Sequence, residues 1–134
     1  MSGILLDTSA YSAMRRGDER LQAPVRDAAA VVLTPVVLGE LLFGFKGGDR
    51  ERANRAALRD FVDAPRVTLV PLDEDTAERY AAIRDHLRRQ GTPISANDLW
   101  IAASAAQHGL RLLTLDNDFN SVPQVLVEYF EPHV

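Results

Sequence analysis

Five short apolar runs set the pattern of this chain: Ile4-Leu5-Leu6, Val31-Val32-Leu33, Val67 to Val70, Leu112 to Leu115 and Val125 to Phe130. Most are separated by longer stretches with helical periodicity. Short apolar runs bounded by turn and cap signals read as strands, and strands that alternate with helices imply a parallel sheet covered on both faces. The expected fold is therefore α/β in three layers, α/β/α, around a central, mainly parallel sheet of four to five strands.

The helices announce their own ends. The first strand runs from Ile4 to Asp7, with a helix starting at Thr8 or Ser9 and another over Glu19 to Ala29. After the second strand, Thr34 can cap a helix with Pro35 at its first position. That helix carries Glu40 and runs to about Phe45, where Gly47-Gly48 breaks it ahead of an arginine-rich helix from Asp49 to Val62. Asp73 caps a long helix stopped by Gly91 and Pro93, and Ser95 caps a helix containing Trp100 that ends at Gly109. No repeat, low-complexity tract or linker divides residues 1–134, so a single domain is expected.

Four acids stand in positions that are costly unless the fold brings them together. Asp7 ends the first apolar run, Glu40 interrupts Val36 to Phe43, Asp98 opens the apolar stretch Asp98-Leu99-Trp100-Ile101-Ala102-Ala103, and Asp116 closes Leu112 to Leu115. A carboxylate on an apolar segment bears a desolvation cost. Three of the four have a local explanation as well. Asp7 can cap the helix at Thr8, Asp98 can complement the dipole of its own helix, and Asp116, Asn117 and Asp118 can form a turn. Glu40 lacks one, because the residues three and four positions away are Val36, Val37, Phe43 and Gly44.

In an open α/β sheet, sites form beyond the carboxyl ends of the strands, where Asp7 and Asp116 lie and where helices after strands begin. Glu40 is within reach of that edge, whereas Asp98 sits on a helix that follows another helix. If the four meet, their mutual repulsion raises their pKa values until a cation neutralises them. Oxygen-only ligands select Mg²⁺ or Mn²⁺, and metal-activated water attacking a phosphodiester is the natural chemistry.

Composition narrows the field. There is no cysteine, which excludes disulfides, thiolate metal sites and a cysteine nucleophile. Met1-Ser2-Gly3 leads directly into a strand-like run and no stretch is long enough to span a membrane, so a cytoplasmic protein is expected. A net charge of −4 is no global signature of nucleic-acid binding. All basic residues except Lys46 are arginines, however, in clusters that include Arg15-Arg16. Arginine grips phosphate bidentately, although any one cluster reads first as a solvated helix surface.

The acids fall in segments that resemble the PIN-domain ribonucleases, and within them the VapC-type toxins of type II toxin–antitoxin pairs. The matching segments are Leu5-Leu6-Asp7-Thr8-Ser9, Thr34-Pro35-Val36-Val37-Leu38-Gly39-Glu40-Leu41, Ile94-Ser95-Ala96-Asn97-Asp98-Leu99-Trp100-Ile101-Ala102-Ala103, and Leu113-Thr114-Leu115-Asp116-Asn117-Asp118-Phe119. Four blocks in this order span essentially the whole chain. The resemblance implies a PIN-like fold and Mg²⁺- or Mn²⁺-dependent endonucleolytic cleavage of RNA, with Asp7, Glu40, Asp98 and Asp116 as catalytic metal ligands. The products would carry a 5′-phosphate and a 3′-hydroxyl. Asp118 matches a more variable acidic position, and the hydroxyls of Thr8, Ser9 and Thr114 are supporting candidates. The resemblance further implies a homodimer and a small VapB-like antitoxin as partner. Arg15 and Arg16 are candidate contacts for RNA or antitoxin.

Two other readings remain at this point. A non-catalytic member of the same fold would serve as an RNA- or protein-binding scaffold, and would show no metal-dependent stabilisation. A phosphotransfer domain also places acids at strand ends, but needs a lysine after a late strand, and Lys46 follows the helix after the second. Trp100 and Phe43 could stack bases, yet each lies in an apolar stripe and reads first as core or dimer interface. His86, His108 and His133 lack metal-ligand spacing, and His108 suits a helix C-terminus.

Overall fold

The computed structural model describes residues 3–133. β1 (Gly3–Leu6) is followed by α1 (Thr8–Arg15) and α2 (Glu19–Asp27), and β2 (Ala30–Leu33) by α3 (Pro35–Phe45) and α4 (Glu51–Asp63). After β3 (Val67–Leu69) come α5 (Glu74–Gln90) and α6 (Ala96–His108), then β4 (Arg111–Thr114), a 3-10 turn (Asn117–Ser121) and β5 (Leu126–Tyr129). The strands form one sheet in the order β3-β2-β1-β4-β5. Every neighbouring pair is parallel, with Leu6 opposite Leu113 and Leu33 opposite Leu69. All the strands therefore end along one edge. This is the expected three-layer α/β/α architecture, with six helices flanking a five-stranded sheet.

The central strands are uniformly apolar because both faces are covered: Ile4, Leu5, Leu6, Val31, Leu33, Leu112 and Leu113 are all 0% exposed. The chain steps outward from β1 to β2 and β3, then returns to the other side of β1 as β4. The reversal lies between β1 and β4, and a crevice at their carboxyl ends is where α/β sheets of this kind place their sites.

Caps fall where the sequence placed them. Thr34 accepts from the Val37 amide, Ser95 accepts from the Asp98 amide, and Pro35 opens α3. Gly91 and Gly109 take left-handed conformations, φ 73° and 62°, to end α5 and α6. The ends differ by a residue or two where a side chain captures the backbone. β1 stops before Asp7 because the Asp7 carboxylate caps α1, and β4 stops at Thr114 because Ser9 Oγ takes the Leu115 amide. α2 stops at Asp27 because Ala28 is already extended, and β3 ends at Leu69 although the Val70 amide still bonds Leu33 O.

The placement of α6 depends on α5. Gln107, near the end of α6, donates from Nε2 to Asp73 Oδ1 at 2.9 Å and accepts from the hydroxyl of Thr76 in the first turn of α5. Arg79 reaches Ala106 O, and Tyr80 stacks on Trp100 with ring centroids 4.2 Å apart. The helices are thus antiparallel, with the start of α5 beside the end of α6. Since α6 leads into the start of β4, its own first turn lies at the edge where the strands end. Replacing Gln107 with Ala should lower unfolding free energy by about 1–3 kcal/mol in urea titrations, because it strips partners from buried Thr76 and from Asp73.

Candidate metal centre

Asp7 is 4% exposed, and its carboxylate survives there because donors surround it. Oδ1 accepts from the Ala10 amide at 2.8 Å and from Ser9 Oγ at 2.7 Å, while Oδ2 accepts from Thr114 Oγ1 at 2.6 Å. The same hydroxyls also accept from the segment after β4. Ser9 Oγ takes the Leu115 amide at 2.9 Å, and Thr114 Oγ1 takes the Asp116 amide at 2.8 Å. Each hydroxyl thus joins the buried acid to the backbone that carries Asp116. Burial still raises the Asp7 carboxyl above its ordinary pKa; the three donors oppose that rise and the charge of Asp116 adds to it.

Glu40, five residues into α3, is held from two sides. Thr8 Oγ1 donates to Oε1, and Asn97 Nδ2 donates to Oε2 at 3.1 Å. Asn97 belongs to the first turn of α6, so the bond ties α3 to the helix bearing Asp98. Asp116 caps the 3-10 turn by accepting the Asp118 amide at 2.9 Å, which brings Asp118 back toward it. One carboxylate oxygen from each of Asp98, Asp116 and Asp118 lies within 4.8 Å of the other two. The acids are close enough to repel: the charges of Asp116, Asp7 and Glu40 all act on Asp98.

The candidates thus converge at one edge, but with unequal roles. Asp98, Asp116 and Asp118 form the tight group, whereas Asp7 and Glu40 stand beside it with their oxygens engaged by three hydroxyls and two amides. The sequence reading gave Asp118 less weight than this geometry does, and it omitted Asn97 although that residue stood next to Asp98 in a quoted motif. Thr8, Ser9 and Thr114 are the donors that fix Asp7 and Glu40. Arg15 and Arg16, at the end of α1 and exposed, lie about 10 Å along the helix from Thr8. Arg16, Arg20 and Leu115 help to line a cavity of about 600 Å³ that opens beside the Thr114–Asp116 segment.

An all-oxygen group of this kind fits a hard divalent cation such as Mg²⁺ or Mn²⁺. The Asp98 carboxyl reports the uncompensated charge: burial first, then Asp116, Asp7 and Glu40, push it from 3.8 to about 6, against a lowering bond from Ser95. An acid with a raised folded-state pKa makes the folded state bind more protons than the unfolded chain between those two values, so its stability contribution falls as pH rises. In chelator, wild type should therefore lose more thermal stability than Asp98→Asn between pH 4 and pH 6.5, and the variant should melt at the higher temperature at pH 7. Parallel melting curves for the two proteins across that range would show that Asp98 is unstrained.

Comparison with known proteins agrees with this architecture. The PIN domain family model matches residues 4–125. Ribonuclease VapC5 of Mycobacterium tuberculosis is 34% identical over 115 residues, covering 86% of this chain and 84% of the relative. Ribonuclease VapC of Rickettsia bellii is 33% identical over 128 residues, covering 93% and 94%. Among solved structures, VapBC-5 of Mycobacterium tuberculosis, a member of the VapBC family of toxin-antitoxin systems, superimposes with a TM-score of 0.74 at 35% identity, over 98% of this chain and 100% of the other. With its strand order, its acidic edge and these relatives in agreement, the chain belongs to the PIN domain family, among its VapC-type members.

Proposed function

We propose that this protein is an Mg²⁺- or Mn²⁺-dependent endoribonuclease, acting as the toxin of a toxin–antitoxin pair. The observation that carries the proposal is the tight group of Asp98, Asp116 and Asp118, with Asp7 and Glu40 beside it and the Asp98 carboxyl raised to about 6. A cluster of carboxylates that repel one another across a crevice gains most from a divalent cation. The names of the relatives support RNA as substrate and, through the VapBC complex, an antitoxin of VapB type as partner.

In this reading Asp98 and Asp116 hold the metal, Asp118 adds a third oxygen, and Asp7 and Glu40 complete the catalytic acidic set. A divalent cation bound there supplies Lewis-acid activation of water and neutralises charge on the scissile phosphate. The protein's own part is to keep the ligands still. Ser9 and Thr114 lock Asp7 to the strand-end loop, and Thr8 and Asn97 lock Glu40 between α1 and α6. Pre-set ligands need no reorganisation when RNA arrives, which is how electrostatic catalysis is supplied. Cleavage leaves a 5′-phosphate and a 3′-hydroxyl. Lys46, which a phosphotransfer domain would need at the site, pairs instead with Glu51 at 3.7 Å.

The proposal includes a single PIN domain over residues 1–134, a homodimer, and a cytoplasmic location; among the described residues no helix is long and apolar enough to cross a membrane. Arg15 and Arg16 have no acidic partner among the described ion pairs, which leaves them free to attract phosphate or antitoxin.

The test uses end-labelled total RNA and antitoxin-free protein with Mg²⁺, Mn²⁺ or EDTA. Wild type should give discrete fragments that disappear in EDTA, and Asp98→Asn should lose at least about a hundredfold in rate. Cleavage that persists in the variant or in EDTA would refute the proposal. Replacing Arg15 and Arg16 together with Ala should weaken RNA binding and flatten its salt dependence by about two phosphate contacts; unchanged affinity would remove both arginines from the RNA path.

A further inference from the structure

Phe43 is 81% exposed, the most exposed of the large hydrophobic side chains on the described surface. The sequence pattern offered the core, a dimer interface or base stacking for it, and the structure removes the first of these. α3 buries Val37 and Leu41 toward the sheet and turns Phe43 outward. Phe43 lies three residues after Glu40, one turn along the same helix face, so the two Cβ atoms are about 5–6 Å apart. An aromatic ring is thus presented to solvent directly beside the acidic crevice.

Little of the protein covers the ring. The outward stripe of α3 runs through half-buried Val36, exposed Gly39 and half-buried Glu40 to exposed Phe43, Gly44 and the following Gly47. Side chains built at Gly39, Gly44 or Gly47 would meet nothing within 4 Å, so this side of the helix faces open space. The other exposed large hydrophobics, Leu69, Leu72 and Leu126, belong to β3, the loop after it and β5. A stable protein–protein interface buries about 800 Å² on each side around an apolar centre. Among the described residues Phe43 is the one exposed large hydrophobic on α3, and its ring supplies a platform for a flat, aromatic partner.

We infer that Phe43 stacks on a base of the RNA next to the scissile phosphate, and so positions the strand across the acidic edge. The inference rests on the ribonuclease reading above. Recognition of single-stranded RNA relies on unstacked bases packed against aromatic side chains, and stacking tolerates any base because each has a π face. Phe43 would thus give grip and register rather than base identity. It takes no part in the metal site.

Steady-state cleavage of one defined single-stranded RNA, cut by wild type in Mn²⁺, tests this with Phe43→Ala, Phe43→Leu, Phe43→Tyr and Phe43→Trp. Stacking predicts KM about tenfold higher for Ala and Leu with kcat within about twofold, and near wild-type KM for Tyr and Trp. The Leu variant separates a ring from mere apolar area. The Mn²⁺-induced thermal shift should be the same in all five proteins, which verifies folding and an intact acidic site. An unchanged KM in Phe43→Ala, or a KM restored by Leu as well as by Tyr, overturns the inference while leaving the nuclease reading in place. A change of oligomeric state in Phe43→Ala by sedimentation overturns it in favour of a second copy covering the ring. Absence of cleavage by wild type would refute the nuclease reading, and this inference with it.

Discussion

Burying a carboxylate at the end of a parallel strand is costly unless donors meet it at every oxygen, and the acidic edge of this protein is arranged around that requirement at Asp7. Two hydroxyls and one amide supply the donors, and both hydroxyls in turn accept amides from the segment beyond β4. The result couples β1 to β4 across the point where strand order reverses. It also sets the path of the chain into Asp116, whose side chain then curls Asp118 back on itself. The position of one buried acid thereby propagates, through Ser9 and Thr114, to half-buried Asp116 and exposed Asp118.

A second set of contacts brings in the rest. Thr8 and Asn97 reach Glu40 from α1 and α6, so one glutamate joins three helices at the crevice. The Asp73–Thr76–Gln107 contacts at the opposite end of α5 and α6 fix their antiparallel packing, which turns the first turn of α6 toward the acids. Asp98 is therefore delivered by a hydrogen-bond network far from it. Asp98 is also where the charge remains unpaired, and its raised pKa marks a site whose charge a bound cation would neutralise. Repulsion of this sort lowers stability locally and is relieved by ligand binding.

Much of this was legible from residues alone. Apolar runs that end in Asp7 and Asp116 identify strand ends, and strand ends of a parallel sheet share an edge, so that pair could be placed together before any coordinates. Thr34, Pro35, Ser95 and Gly109 marked helix ends because capping is local chemistry. Asp98 was harder, since a helix following a helix has no direction until the Gln107 contacts give it one. The weight of Asp118 was hidden for the same reason: a 3-10 turn after β4 reads as an ordinary polar turn in sequence. The core reading of Phe43 failed because an apolar stripe around a narrow helix does not say which flank the sheet covers, and α3 is apolar on nearly every side. The four acids taken together pointed to a cation site and phosphodiester chemistry, and the family resemblance added RNA and an antitoxin.

The central claim is that the converging carboxylates form a divalent-cation site held ready by hydroxyl and amide donors. Calorimetric titration of Mn²⁺ into the antitoxin-free protein at pH 6, in two buffers of different ionisation enthalpy, addresses it directly. The account predicts saturable binding with release of a fraction of a proton, because Asp98 is about half protonated at that pH and must ionise to bind. Asp116→Asn should abolish or severely weaken the binding. Absence of saturable binding in wild type, or binding of equal strength in Asp116→Asn, would contradict the account.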